Sequence, residues 1–437
     1  MDEARHLKHI CDSYIKQTVV THKFDLPEFV GYMEPAFKKL GFRAIDRTRQ
    51  ESFLVLRLDG IGGCVMMTGF LRELRRNRPR AYITLVVNPV VRPLMELCPY
   101  VDEVLDFASG PRMALQDILR SAVHFCQRHL WQRFYDICFC PQWGTDRSWT
   151  LLLGFLSGAR ERIGYSERVS REKARSNRGH NLFLSRVLAS PPEVVHEVAR
   201  AFYLLQDFGM QVENDSMELW FDKQDSLVAH RLLVNFARDH ALAVVALGAA
   251  QTNRKYPVEK YVAALRPIAQ AGTRFVLLGG NDVDLEGDFF ARSMPGGSVL
   301  NLIGQAYLRV MAAIVAMSDI YIGNDTGILH MAAAFRVPVI EVMAEAQDMK
   351  ADPSVYSAYE RFFPWHTPAI VLRPKHALPP CNETEVLGGC CTMMPHCISC
   401  VSPEEIVAAY NAMVEYLGEE HGMTERDGRA GALSRLR

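Results

Sequence analysis

The residues best suited to chemistry lie in one short turn, 323–330, with the sequence Gly-Asn-Asp-Thr-Gly-Ile-Leu-His. A short apolar run precedes this turn and a helix-like run follows it. A strand, a glycine-flanked polar turn and a helix in this order leave a row of backbone N–H groups at a helix N-terminus, where an anion can bind. Asp325 and Thr326 suit the helix cap, and His330 lies one turn further on. The alternative interpretation is an ordinary β–α loop with a capped helix.

Three further polar turns, 59–63, 248–257 and 279–284, follow predicted strands. Ligands of open α/β sheets bind outside the carboxyl ends of the strands, so these turns predict a phosphate-bearing ligand, held mainly by the second half of the chain. Arg254 and Lys255 would supply positive charge to a diphosphate, and Asp284 would accept hydrogen bonds from ribose hydroxyls. Each of these residues alone is more often a solvated surface group.

None of these turns is a Walker loop, because no glycine-lysine-serine/threonine triplet follows. The turn at 60–63 also lacks the third glycine of the dinucleotide fingerprint. Dinucleotide oxidoreduction is therefore a weak alternative.

The elements that must position these turns alternate along the chain as short apolar β-prone runs and helix-like segments. This pattern is typical of parallel sheets with crossover helices, and it restarts after a joint near 215–240. We therefore predict an α/β protein with two domains of this kind. The predicted parts are a helical extension over 1–50, a first α/β domain over 51–215, a second α/β domain over 240–400, and a helix with a loose tail over 401–437. The basic segment 159–181 is interpreted as a surface loop.

The composition is that of a soluble globular protein of 437 residues, with 49% hydrophobic residues, 23% charged residues and a net charge of −1. The near-neutral balance argues against nucleic acid as a partner. The chain has no run of some 18 apolar residues and no apolar signal core at its N-terminus, so we expect a cytoplasmic protein. Basic residues in 72–80 and 160–178 would serve peripheral contact with the inner membrane or steer an anionic acceptor; a solvated face is the alternative.

Five of the eleven cysteines fall within twenty residues, at Cys381, Cys390, Cys391, Cys397 and Cys400. Thiolates crowded in a polar loop suit a soft metal, so we interpret Cys381, Cys390, Cys397 and Cys400 as ligands of a structural zinc or iron ion. His396 lies inside this cluster. Free cysteines without a metal remain the alternative.

Several motifs, in matching order and spacing, make the chain resemble glycosyltransferase family 9, the ADP-heptose:lipopolysaccharide heptosyltransferases and their relatives. The resemblance covers roughly residues 52–410. The motifs are Leu56–Gly62, Leu71–Leu74, Pro99–Val104, Arg162–Tyr165, Gly248–Ala249, Arg254–Pro257, Leu277–Gly280, Gly323–Gly327 and Leu329–His330.

The resemblance implies a GT-B fold, two Rossmann-like domains with a cleft between them. The domain over 51–215 would then be the acceptor domain, and the domain over 240–400 the nucleotide-sugar domain. It also implies inverting transfer of a heptose or related sugar from a nucleotide-diphospho-sugar, by default ADP-heptose, without a catalytic metal. The acceptor would be a lipid-linked saccharide or a protein hydroxyl. The oligomeric state stays open.

Carried over by position, the resemblance assigns roles around the donor. Asp325, Thr326 and Gly327 would hold the diphosphate with His330 close by, and Arg254 would stand beside the leaving phosphates. Asp284 takes the place of the ribose-binding carboxylate, while Gly279 and Gly280 would let the nucleotide approach the strand end. In some heptosyltransferases of autotransporter proteins, a cysteine-bearing finger of this kind binds iron.

The chain departs from the family at Gly63, where the family's first glycine turn ends in an aspartate proposed to deprotonate the acceptor hydroxyl. Glycine cannot take a proton. Asp59 is therefore the candidate base, with a turn-forming, helix-capping aspartate as the alternative. Another carboxylate could serve instead, or the protein is a catalytically degenerate binder of sugar nucleotides. A GT-B epimerase is a third, less favoured reading.

Overall fold

The computed structural model describes residues 7–15, 25–41, 50–110, 113–133, 135–349, 357–382 and 394–424. The chain divides into two compact units, Met1–Asp215 and Ser216–Arg437. The predicted metal ligand Cys390, its neighbour Cys391 and the tail from residue 425 lie outside the described residues.

The first unit is built on a parallel six-stranded sheet with the order β3-β2-β1-β4-β5-β6. Its strands are β1 Ser52–Arg57, β2 Tyr82–Val87, β3 Glu103–Asp106, β4 Ile137–Cys140, β5 Glu161–Tyr165 and β6 Arg186–Leu188. Its helices are α1 over 7–15, α2 Leu26–Gly41, α3 Ile61–Met66, α4 Thr68–Asn77, α5 Arg92–Met95, α6 Leu115–Phe125, α7 Thr150–Leu156, α8 Arg171–Ser176 and α9 Glu197–Asp207.

The central strands of this sheet are covered on both faces, which explains why they are continuous apolar runs rather than alternating ones. Every residue of β1 is buried. The N-terminal helices belong to the same core, because Phe29 and Phe37 of α2 pack against Phe155 of α7, with ring centroids 6.0 and 5.4 Å apart. The N-terminal segment thus stabilises the first unit.

The second unit repeats the arrangement, with the strand order β12-β11-β10-β7-β8-β9 and parallel pairing throughout. Its strands are β7 Leu242–Ala246, β8 Arg274–Leu277, β9 Val299–Asn301, β10 Ile320–Asn324, β11 Val339–Val342 and β12 Ala369–Leu372. Its helices are α10 Lys223–Leu233, α11 Val258–Gln270, α12 Asp284–Ser293, α13 Leu308–Ala316, α14 Gly327–Ala334, α15 Ala358–Phe362 and α16 Pro403–Thr424.

Both sheets have the strand order of a Rossmann fold, in which the chain reverses direction across the sheet after its third strand. The reversal lies between β1 and β4 in the first unit and between β7 and β10 in the second. Loops that leave adjacent strands on the two sides of such a point open a crevice for a ligand. The segments 59–63, 248–257 and 323–327 lie at the carboxyl ends of β1, β7 and β10, and so at these points.

The interpretation of 159–181 as a surface loop is wrong, since the segment contains β5 and α8. Arg162 and Lys173 are buried there. The Lys173 ammonium donates to the carbonyl oxygens of Trp143, at 2.9 Å, and Tyr165, at 3.2 Å. Backbone carbonyls thus replace water around a charge that the sequence pattern assigns to the surface.

Candidate functional site

The turn between β10 and α14 is shaped by its own polar groups. Thr326 caps α14, because its hydroxyl oxygen accepts a hydrogen bond from the backbone N–H of Ile328 at 3.2 Å. The Tyr321 hydroxyl donates to the carbonyl oxygen of Asn324 at 2.7 Å and so fixes the end of the strand. These hydrogen bonds hold the turn in which α14 begins. The free N–H groups of a helix N-terminus in such a turn can bind an anion.

Gly323 lies where no side chain fits. A Cβ atom at this position would lie 2.6 Å from the carbonyl oxygen of Ala246 and 2.7 Å from the Tyr321 hydroxyl. The glycine is thus required by the close approach of β7 and by the tyrosine that holds the turn.

Asn324 joins the turn after β10 to the turn after β7. Its side chain is fully buried. The amide nitrogen donates to the carbonyl oxygens of Leu247, at 2.7 Å, and Gly248, at 3.2 Å. The amide oxygen accepts from the backbone N–H of Tyr256 at 3.2 Å and from the Tyr261 hydroxyl at 3.0 Å. One side chain therefore sets the relative position of two turns of the candidate site.

Replacing Asn324 by alanine should destabilise the second unit by roughly 2–4 kcal/mol, since several buried groups lose partners at about 1–3 kcal/mol each. Chemical denaturation, with hydrogen exchange in β7 and β10, measures the change. Asn411→Ala, at an exposed position of α16, is the matched control. Equal stability of the two variants would contradict the role of Asn324 as the link.

Arg254, Asp325 and His330 form the charged centre of this turn. The Arg254 guanidinium pairs with the Asp325 carboxylate and keeps 30% of its side chain exposed. The His330 Nε2 lies 3.8 Å from the other Asp325 oxygen. Burial lowers the pKa of His330, against the opposing effect of Asp325, so the imidazole is neutral at pH 7. The structure thus brings together three of the predicted donor-binding residues, with an arginine that can turn to a ligand.

Lys255 points to a different turn. Its ammonium donates to the carbonyl oxygen of Asp282 at 3.2 Å and lies 3.3 Å from the Asp282 carboxylate. The ammonium of Lys255 is therefore paired with the turn after β8, whereas the guanidinium of Arg254 is paired with Asp325. The sequence pattern did not single out Asp282.

Gly279, Gly280 and Asp284 lie in the turn after β8, at the same edge of the sheet. The carbonyl oxygen of Gly279 accepts from the backbone N–H of Gly304 at 3.1 Å. A Cβ atom on Gly304 would lie 3.4 Å from the carboxylate of Asp284, which is exposed at the start of α12. This carboxylate is thus accessible to a ligand at the strand ends.

In the first unit, Asp59 takes up the space that a side chain at residue 63 would need. A Cβ atom placed on Gly63 would lie 2.2 Å from Asp59 Oδ2 and 2.6 Å from its Cγ. Arg57, which is buried, donates to Asp59 Oδ1 at 2.7 Å and fixes the carboxylate there. Burial raises the pKa of Asp59, with Arg57 opposing the rise, and a quarter of the side chain (25%) remains exposed. The carboxylate is therefore held at the end of β1, accessible and more basic than an ordinary aspartate.

The cysteine segment contains a group of converging ligand atoms. The sulfur atoms of Cys381 and Cys397 and a ring nitrogen of His396 lie within 4.8 Å of one another, so these three residues could hold a metal ion. His396 Nδ1 is 3.6 Å from the Cys381 sulfur and 3.3 Å from the Cys397 sulfur. Cys400 is exposed and is not part of the group. The sequence pattern placed His396 inside the cluster without assigning it as a ligand.

The basic run at 72–80 is largely neutralised by carboxylates. Arg75 pairs with Asp102 and Arg76 with Glu213, each at 2.6 Å. These ion pairs weaken the interpretation of the run as a membrane-binding surface. Among the described residues, no helix has both the length and the apolar character needed to cross a membrane.

Comparison with known protein families shows which family the chain resembles. Residues 152–360, a little under half of the chain, match the family model for glycosyltransferase family 9 (heptosyltransferase). This match confirms the resemblance to glycosyltransferase family 9. No curated protein sequence matches the chain.

Solved structures establish the fold. The glycosyltransferase family 9 protein from Veillonella parvula DSM 2008 has a TM-score of 0.66 at 17% identity, over 83% of this chain and 96% of that one. ADP-heptose lipopolysaccharide heptosyltransferase II of E. coli has a TM-score of 0.61 at 18% identity, over 84% and 99%. E. coli heptosyltransferase WaaC with ADP-2-deoxy-2-fluoro heptose has a TM-score of 0.54 at 18% identity, over 84% and 99%. The predicted GT-B fold with two Rossmann-like domains is confirmed.

Proposed function

We propose that this protein is an inverting glycosyltransferase that moves a heptose or related sugar from a nucleotide-diphospho-sugar, by default ADP-heptose, to a hydroxyl group of a saccharide or protein. The single observation that carries the proposal is the turn after β10, where the helix N-terminus, Arg254 and His330 surround Asp325. The ADP-2-deoxy-2-fluoro heptose bound to E. coli heptosyltransferase WaaC supports this choice of donor.

The proposed donor site uses charge and backbone donors instead of a catalytic metal. The N–H groups at the start of α14 and the Thr326 hydroxyl would bind the diphosphate. The Arg254 guanidinium would turn partly from Asp325 toward the diphosphate. There it would neutralise the negative charge that develops on the leaving nucleotide. Such electrostatic stabilisation of a leaving group is commonly the largest catalytic contribution. Asp284, at the neighbouring strand end, would bind the ribose hydroxyls.

The proposed base is Asp59. In an inverting transfer, the base takes the proton of the acceptor hydroxyl. At the same time the acceptor oxygen bonds to the anomeric carbon of the sugar, and the bond between that carbon and the diphosphate breaks. The position of the Asp59 carboxylate, in the space next to Gly63, supports the view that this residue replaces the aspartate that the family carries at the end of the turn. Because its pKa is raised, the Asp59 carboxylate is a stronger proton acceptor than an ordinary aspartate.

A catalytically degenerate protein that binds sugar nucleotides is the second candidate, favoured by Gly63 itself. Incubation with ADP-heptose and other donors, with saccharide and protein acceptors, separates the two. Release of nucleotide supports the transferase. Binding of ADP without turnover of any donor supports the degenerate protein.

Cys381, His396 and Cys397 are proposed to hold a structural zinc or iron ion. Two thiolates and an imidazole suit either metal, and no sugar chemistry is assigned to it. Cys397 begins the short helical segment that leads into α16. A metal here would therefore fix the cysteine segment to the base of that helix.

The metal proposal predicts that Cys397→Ser and His396→Ala lose a zinc or iron ion that the unaltered chain holds stoichiometrically. Cys400→Ser is the matched control and should keep it, because Cys400 lies outside the group. Elemental analysis of protein purified without chelator measures the metal. Unaltered protein without stoichiometric zinc or iron would contradict the site.

A further inference from the structure

A buried glutamate lies next to the donor turn, the turn 323–327 after β10 that is proposed to bind the diphosphate. The proposed transfer assigns no role to this glutamate. Glu341 is on β11 and pairs in register with Gly323 of β10. Its side chain is fully buried. Neither carboxylate oxygen accepts a hydrogen bond from any residue that the structure describes. A polar group buried in this way requires a physical explanation.

The two arginines whose charge acts on Glu341 are engaged elsewhere. Arg254 pairs with Asp325, and Arg373 lies 3.0 Å from Glu345. Both arginines favour the ionised form of Glu341, whereas the nearby Asp325 carboxylate opposes it. Within the described part of the chain, no cation forms an ion pair with Glu341.

Two tyrosines and a histidine close to Glu341 are uncharged. Glu341 acts on the hydroxyl groups of Tyr321 on β10 and Tyr261 on α11, and burial raises the pKa of both. His330 of α14 is kept neutral by burial. On α16, which also packs against β11, the hydroxyl of Tyr410 is hydrogen-bonded to Thr273.

A carboxylate without a partner is costly in such surroundings, so the group keeps its proton instead. Burial accordingly raises the pKa of Glu341 well above its ordinary value of 4.5. Ionisation would add a second negative charge beside Asp325, next to the turn proposed to receive a diphosphate. In a medium of low dielectric constant, like charges at such a place repel strongly.

We propose that Glu341 is a neutral carboxylic acid beneath the donor turn and that its ionisation sets the upper pH limit of nucleotide binding there. The inference rests on the proposed donor function of the turn. Glu341 is a positioning residue, since it acts through Asp325 and Arg254 and does not contact the reacting atoms.

Whether Glu341 carries a proton in the folded state is tested by the pH dependence of the free energy of unfolding. The folded state binds a proton that the unfolded state has lost, from the ordinary glutamate pKa up to the raised pKa. Stability is therefore lost as pH rises through that window. Glu341→Gln mimics the neutral acid and escapes this loss. Its folding constant relative to the unaltered protein should rise about tenfold per pH unit within the window.

The experiment combines denaturation with calorimetry of ADP on the full chain between acidic and alkaline pH. Glu415→Gln, at an exposed glutamate of α16, is the matched control and should follow the unaltered protein. Above the raised pKa of Glu341, which the denaturation profiles locate, Glu341→Gln should bind ADP roughly tenfold more tightly than the unaltered protein, within the usual range of coupling between sites. Below that pKa the two affinities should agree.

Parallel stability profiles of Glu341→Gln and the unaltered protein would show that Glu341 is ionised in the folded state and would overturn the proposal. Diverging stability with identical ADP affinities at every pH would overturn the link to the donor turn. Absence of ADP binding in both proteins would instead remove the proposed donor function, while denaturation would still decide whether Glu341 carries the proton.

Discussion

Replacing Asp59 by asparagine is expected to lower kcat by about 10²–10⁴-fold, the usual cost of losing a general base. The amide keeps the size of the side chain and can still accept the hydrogen bond from Arg57, so the turn should retain its shape. ADP affinity should be unchanged, because the donor turn belongs to the second unit. Steady-state rates with calorimetry of ADP separate these effects.

A matched rescue sharpens the assignment. The double variant Asp59→Gly with Gly63→Asp moves the carboxylate to the position where the family carries it, and it frees the space that Asp59 occupies. It should recover part of the lost rate. The rate of sugar transfer by the unaltered protein should fall as acid protonates Asp59. The fall should come at a higher pH than for an ordinary aspartate, because the pKa of Asp59 is raised. Unchanged kcat in Asp59→Asn would exclude this residue as the base.

Replacing Arg254 by alanine is expected to lower kcat/KM by about 10²–10³-fold, the scale found when one group that stabilises developing negative charge is removed. The loss has two parts. The leaving diphosphate loses its cation, and the Asp325 carboxylate, now without its partner, repels the donor. Calorimetry of ADP reports the ground-state part, and the change in kcat reports the part that appears only in the transition state.

Two variants control this result. Arg254→Lys keeps the charge but lacks the planar fork that fits phosphate, so its activity should lie between those of Arg254→Ala and the unaltered protein. Lys255→Ala removes the neighbouring cation, which contacts Asp282 instead of Asp325, and should cost less than Arg254→Ala. A larger loss in Lys255→Ala would mean that the diphosphate lies at the turn after β8.

The fold and the position of the turn 323–327 at a helix N-terminus could be predicted from the sequence, because both depend on local patterns. Short apolar runs that end in glycine-bearing turns specify strands and the turns that follow them. Asp325 and Thr326 fall in such a turn, so their place at a helix N-terminus follows from neighbouring residues. The sequence also shows that Gly63 stands where the family carries its proposed catalytic base, so the identity of the base is the least certain part of the site assignment from sequence.

The remaining features depend on contacts between distant parts of the chain. Asn324 owes its role to Leu247 and Tyr256, which lie 77 and 68 residues away in the sequence. Lys173 is buried because three backbone carbonyls receive its ammonium. The Asp59 carboxylate lies beside Gly63 because the hydrogen bond from Arg57 fixes the direction of the Asp59 side chain. Periodicity and composition carry no information on such contacts.

We propose that this protein breaks the bond between a sugar and a nucleotide diphosphate, with Arg254 and Asp59 in the roles given above. The sharpest test is nucleotide release from ADP-heptose, with saccharide and protein acceptors, by the unaltered protein and the two single variants Arg254→Ala and Asp59→Asn. We predict acceptor-dependent release of ADP that both substitutions suppress, with ADP affinity lost only in Arg254→Ala. Tight binding of ADP without release from any donor tried would contradict this proposal and identify a sugar-nucleotide-binding protein without transferase activity.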